Sequence, residues 1–239
     1  MPYIRETCIS GRVIEERKYF SPRFHPKGEK RVKKEKPTKE EVARVNHRNA
    51  EIKLRRLMNT NFKDGDFLVR LDFFKRGEVS LPEMQRCIAG MVRELRKEFF
   101  KRGLTLKYIY VKEIGPSGSR HIHILLPKCD TDIIMSLWKH GGVHIDPLNS
   151  GGQYRKVAAY FIKYADKSFE TSGKLAGKRW YGSRNLEQPK IEKKIVMSNT
   201  YREQPRPRAG YYVEPDSIAK GVSEFTGYGY FFYSMVRLD

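Results

Sequence analysis

An α+β fold, with helices packed on a central antiparallel β-sheet of about five strands, is what this sequence predicts. Two observations carry the expectation. Strand-like and helix-like segments follow in the order strand, helix, hairpin, helix, helix, which suits an antiparallel sheet covered by helices rather than a parallel one. Two apolar runs, Leu106–Ile114 and Arg120–Leu126, are joined only by GPSGS, a turn-forming stretch that makes them a hairpin.

Each element has a local cause. Thr38 and Glu41 have capping-box spacing, so a helix is expected from about Lys39 to Met58, strongly basic through Arg44, Arg48, Lys53, Arg55 and Arg56. Its basic face is either solvated or in contact with phosphate. Asp66–Phe74 (DFLVRLDFF) alternates and is rich in aromatic and branched residues, a strand signal. Ser80 and Glu83 form a second capping box, after which Met84, Ile88, Met91, Leu95 and Phe99 recur at helical spacing until Gly103. That stripe is core. A short helix is expected from Thr131 to His140, then an extended GGVHIDPL, then a helix from Gln153 to Phe169. Farther on, KKIVMSNTY and GYGYFFYSMV read as strands on either side of a Pro/Arg-rich loop. The aromatic run Tyr228–Tyr233 is most simply a buried or edge strand.

The expected organisation is a basic arm and helix over residues 1–59, a central domain over 60–190, and C-terminal strands and tail over 191–239 packed on that domain. Residues 18–42, with three prolines and dense Lys and Arg, read as an extended arm adding salt-sensitive, sequence-independent affinity for DNA. The chain of 239 residues has 48 Lys+Arg against 28 Asp+Glu, a formal charge of +20, which favours a polyanionic partner such as nucleic acid. Hydrophobic residues at 39% exclude a wholly disordered chain. No run approaches the ~18 apolar residues of a membrane span. The start lacks a signal-like apolar core, and Cys8, Cys87 and Cys129 form no Cys-x-x-Cys pair. A cytoplasmic protein with reduced thiols is therefore expected.

His121 and His123 stand two apart on an expected strand, so both imidazoles leave one face while Ile122 and Ile124 leave the other. Two neutral imidazoles side by side can hold a divalent ion, and the hairpin would fold Glu113 back beside them as an acidic third ligand. The alternative is a polar strand face with both rings hydrogen-bonded. His140 and His144, flanking a Gly-Gly turn, read as ordinary loop histidines. On the Gln153–Phe169 helix, at about 100° per residue, Gln153, Lys156, Lys163, Tyr164 and Lys167 fall within about 60° of Tyr160. Tyr154, Ala158, Phe161, Ile162 and Ala165 take the opposite, core-facing side. Phenols among lysines have the ionised, nucleophilic form favoured, and the lysines would orient a phosphate. The alternative is two half-buried tyrosines on a basic, DNA-facing helix. A metal acting as Lewis acid on a scissile phosphate, with a tyrosine attacking phosphorus, would leave a 5′-phosphotyrosine and free a 3′-hydroxyl.

These residues resemble the HUH endonucleases, specifically the two-tyrosine rolling-circle replication initiators of microviruses and related phages and plasmids. The resemblance rests on His121-Ile-His123, on the doubled Tyr-x-x-Lys of Tyr160–Lys163 and Tyr164–Lys167, and on Glu113 ahead of the hairpin. FLVRLDFF is similar to the first motif of that family, although Arg70 and Asp72 stand on a strand where its members often carry Thr. The segment Gly177–Leu186 is similar to one that follows their tyrosine helix. The resemblance covers about Asp66 to Leu186. It implies an HUH endonuclease-like sheet with the histidines on a central strand, Mg²⁺ or Mn²⁺ at His121, His123 and Glu113, and nucleophiles Tyr160 and Tyr164 supported by Lys163 and Lys167. It also implies nicking and joining of single-stranded DNA or an origin hairpin, with a DNA polymerase extending the 3′ end. No phosphate-binding loop Gly-x-x-x-x-Gly-Lys-Ser/Thr occurs, so a host helicase is expected as partner. Lys156, Arg179, Trp180, Tyr181 and Arg184 are further candidates to touch DNA, the aromatics being equally suited to packing. The competing readings are a transposase or relaxase of the same chemistry, and a non-catalytic nucleic-acid-binding protein whose exposed aromatics stack on bases.

Overall fold

The computed structural model describes residues 3–21, 38–74, 79–115, 117–172, 178–198, 204–223 and 227–238. Most of the expected basic arm, and Gly177, lie outside them. Eleven strands and four α-helices occur among the described residues, an α+β fold as expected. They divide into two units, Met1–Val45 with Gln188–Asp239, and Asn46–Glu187.

The unit Asn46–Glu187 is built on a five-stranded antiparallel sheet. Its strands are β3 (Phe67–Asp72), β4 (Ile109–Ile114), β5 (Arg120–Leu126), β6 (Val143–Pro147) and β7 (Tyr181–Gly182), in the spatial order β6-β3-β5-β4-β7. The expected hairpin is β4–β5, and its second strand lies at the centre of the sheet. Period-two alternation splits the apolar residues between the two faces. On one face Val69, Leu71, Tyr110, Ile122 and Ile124 join the stripe Met84, Ile88, Met91, Leu95 and Phe99 of α2 (Leu81–Lys101). Ser80 caps that helix by accepting from the Glu83 N–H at 3.3 Å, as its spacing predicted. On the other face Ile109, Val111 and Leu125 pack against two helices, α1 (Lys39–Asn61) and α4 (Arg155–Ser172). Thr38 and Glu41 close the expected capping box of α1, with bonds of 2.8 and 3.2 Å.

The helix α3 (Thr131–Leu137) stops three residues short of the expected His140. Trp138 takes an extended backbone, buries its indole and donates its Nε1–H to the Asp72 carbonyl at 2.9 Å. Tertiary demand for that ring outweighs helical propensity. The chain then turns through Gly141, where any Cβ would run into the Asp72 carbonyl oxygen, so only glycine allows the approach. This brings β6 alongside β3.

The other unit is a six-stranded antiparallel sheet that the sequence reading largely missed. It comprises β1 (Tyr3–Ser10), β2 (Val13–Phe20), β8 (Lys190–Val196), β9 (Tyr211–Val213), β10 (Ala219–Val222) and β11 (Gly229–Arg237). The order is β10-β11-β2-β1-β8, with β9 also paired to β11. Thus the N-terminal hairpin is flanked by later chain, and residues 3–10 and 13–20 are strand. In this sheet β1 takes β8, and β2 takes β11, as a hydrogen-bonding neighbour. Charge patterning hid β2 (VIEERKYF): its inward and outward residues are both largely charged, and Glu15 and Glu16 are buried. The aromatic run in β11 is an interior strand, not an edge.

Candidate active site

Strand register assembles the site on the face of the five-stranded sheet that α4 covers. One row across the sheet reads Asp72, His121, Glu113 on β3, β5 and β4, and the next reads His144, Arg70, His123, Val111 on β6, β3, β5 and β4. These side chains share a face because residues opposite one another in a ladder point the same way.

His123 is 2% exposed, and its Nε2 lies 2.6 Å from Oε2 of the buried Glu113. Two groups that both offer lone pairs meet at that distance through a shared proton, and a cation could take the proton's place. His121 faces elsewhere: its Nδ1 is 2.7 Å from Asp72 Oδ1 and its Nε2 is 3.0 Å from Ser119 Oγ. The two imidazole centroids are 6.5 Å apart. Among the described residues no three His, Cys, Asp or Glu side chains converge as a ready-made metal cage. The donor chemistry of His121, His123 and Glu113 nonetheless suits a divalent ion, with two of the three already pointed at one another.

Asp72 is a hub that spacing did not reveal. Besides His121 it meets His144 Nε2 at 3.1 Å and pairs with Arg70 at 3.0 Å. Burial pushes its carboxyl up, but the His121 hydrogen bond and the Arg70 and His121 charges outweigh that and hold it below its ordinary value. His144 is therefore a strand residue tied to the site, while His140 packs on Phe73 and Trp138. The available signal was Asp72 two residues after Arg70 on an alternating strand; its partner on β6 was not readable without the register.

The helix α4 brings both tyrosines to His123. The Tyr160 ring stands edge-on with centroids 5.1 Å apart, the Tyr164 ring stacks at 5.2 Å, and the two phenol rings are 4.3 Å apart. The opposite side of α4 is buried as expected, with Tyr154, Ala158, Phe161 and Ile162 fully enclosed. One turn after Tyr164, Ser168 Oγ donates to the Lys112 carbonyl at 3.0 Å and accepts the Ile114 N–H at 3.2 Å. That clamp fixes the helix to β4 and so sets the height of the phenols above Glu113.

Lys163 is exposed, and Lys167 Nζ lies 5.9 Å above the Tyr164 ring. Burial raises the Tyr160 phenol, the hydrogen bond with Tyr164 and the Tyr164 and Glu113 charges raise it further, and Arg70 only partly offsets this. The phenol is neutral at pH 7.

Of the outer candidates, Lys156 and Arg184 are exposed. Arg179 Nε donates to Asp166 at 2.7 Å, and Asp166 also pairs with His47 on α1. Tyr181 stacks on Tyr110 at 4.9 Å with Lys112 over its ring, and Trp180 packs against the core between α1 and α4. Both aromatics are half-buried.

With the geometry in place, comparison with known proteins supplies an independent line. Residues 71–169 match the family described as replication-associated protein ORF2/G2P. No curated protein and no solved structure gives a match. The replication-associated match runs from the end of β3 into α4 and so contains Asp72, Glu113, His121, His123, Tyr160 and Tyr164. It supports a replication initiator that binds DNA. Among the described residues no helix is long and apolar enough to cross a membrane.

Proposed function

We propose that this chain is a metal-dependent enzyme that nicks and rejoins single-stranded DNA to initiate rolling-circle replication, of the two-tyrosine HUH type. The observation that carries this is the meeting of two phenols with His123 beside Glu113: nucleophile candidates lie against a buried imidazole and carboxylate that converge. The replication-associated match over the same residues supports it.

His121, His123 and Glu113 would hold Mg²⁺ or Mn²⁺, which supplies Lewis-acid polarisation of the scissile phosphate when bound. The phenol oxygen of Tyr160 or Tyr164 then bonds to phosphorus as the P–O3′ bond breaks. The phenol loses its proton as that bond forms, and the departing oxygen takes one up to become the 3′-hydroxyl. The product is a tyrosine joined to the 5′-phosphate, which keeps the ester energy for rejoining. Two phenols one helical turn apart allow one to hold the first end while the other cuts again. Lys163 and Lys167 at the same face favour phosphate by charge. The freed 3′ end is a primer for a DNA polymerase, and strand separation falls to a host helicase in the cytoplasm.

The test is incubation of labelled single-stranded DNA from the replicon's origin with Mn²⁺, followed by a denaturing gel. The parent protein should yield a shortened strand and a covalent protein–DNA band; Tyr160→Phe or Tyr164→Phe alone should reduce the band, and the double substitution should remove it. A band persisting in the double variant refutes the tyrosine assignment, and binding without cleavage of any strand refutes the enzyme.

A further inference from the structure

The six-stranded sheet holds a cavity of about 320 Å³ remote in sequence from every residue assigned above. Its floor is the sheet face on which Arg5, Lys18 and Phe231 stand opposite one another on β1, β2 and β11, with Glu16 and Tyr233 one step along. Arg206 lines its wall. The one carboxylate, Glu16, is already neutralised: it accepts from Arg5 Nε at 3.0 Å, Thr7 Oγ1 at 3.2 Å and an Arg208 guanidinium N–H at 2.6 Å. What remains is cationic, and it is floored by two aromatic rings whose centroids are 5.4 Å apart.

We infer that this cavity binds a nucleotide of single-stranded DNA, making the second unit a strand-holding module separate from the nicking site. Volume, charge and surface chemistry agree. Ligand pockets start at roughly 300 Å³, enough for a base with its phosphate but not for a duplex. Lys18 and Arg206 line it with charge complementary to phosphate, while the half-buried Tyr233, beside the buried Phe231, offers the face on which an unpaired base stacks. A sheet floor of this composition serves single strands, since base stacking tolerates any sequence but requires unpaired bases. The assignment does not need the tyrosine chemistry to be right.

The experiment uses the full chain carrying Tyr160→Phe and Tyr164→Phe, so that cleavage cannot intervene, and fluorescein-labelled oligothymidylate of about a dozen nucleotides, within the site size of such modules. Binding is read by anisotropy across a salt series. Arg206→Glu, at an exposed position, should weaken strand binding roughly tenfold and flatten the salt slope by about 1. Tyr233→Leu should weaken it roughly tenfold or more while leaving the salt slope alone. Both variants should keep the parent's unfolding midpoint and its affinity for a hairpin-free duplex. Unchanged strand affinity in the Arg206→Glu protein overturns the assignment, as does thymidine 5′-monophosphate competing as well as the strand at equal nucleotide concentration. With the tyrosines restored, absence of cleavage by the parent chain would count against the nicking proposal alone.

Discussion

His123 sits where a single side chain has most leverage. It touches Glu113 and both phenols from a position closed to solvent. His123→Ala is expected to abolish nicking while leaving most of the charge-driven DNA affinity, measured by gel assay and anisotropy on one preparation; parallel loss of both would point to misfolding. Asp72 acts one step removed, through His121 and His144. Asp72→Asn keeps the shape but removes the charge that orients those rings, and should weaken the Mn²⁺ dependence of nicking by roughly 10- to 100-fold. The readout is the metal concentration giving half-maximal rate, with the rate at saturating metal recovered in large part. Equal half-maximal metal concentrations in the two proteins would show that Asp72 plays no such part.

Among elements, α4 matters most, because Asp64 holds the turn that leads into it and its own Ser168 ties it to β4. At its entry Asp64 accepts the N–H groups of Ser150, Gly151 and Gly152 at 3.1, 2.9 and 3.3 Å, along with the Tyr154 hydroxyl at 3.4 Å. Burial raises the Asp64 carboxyl, but these bonds together outweigh it and hold it below its ordinary value. A depressed folded value stabilises above the unfolded pKa and is lost as pH falls through the folded one. Asp64→Asn should therefore cost about 1 kcal/mol at pH 7, a discounted figure for an exposed carboxylate, and progressively less below about pH 4. Unfolding midpoints of the two proteins across pH 3–7 check this; a constant gap would show that charge is not involved. Within the helix, Phe161→Ala empties a fully buried position beneath the two tyrosines, and a loss of about 3–5 kcal/mol is expected from denaturant unfolding.

At the scale of the whole molecule, charge and fold act separately. The excess of twenty positive charges attracts any polyanion, so DNA binding should weaken steeply with salt whatever its sequence. Salt titration should give a log–log slope of the same size for the parent and for His123→Ala, since that residue carries no phosphate contact.

The sequence by itself determined the elements that local chemistry dictates. Two capping boxes placed α1 and α2, alternation placed β3, and a Gly/Pro turn made the β4–β5 hairpin, because each signal is complete within a few residues. The helical period also assigned Tyr160 and Tyr164 to one side of α4 and its apolar residues to the other. Only the tertiary structure decided what lies across from those faces. That Asp72 and His144 meet beside His121 depends on β3 and β6 pairing across seventy residues of chain, and no local pattern encodes a partner's identity. Likewise β1 and β2, charged on both faces, became strands only because distant β8 and β11 complete their hydrogen bonding, a non-local term that periodicity cannot carry. The upward push on the Tyr160 phenol belongs to the same class: burial and the Tyr164 and Glu113 neighbours that cause it are set by packing.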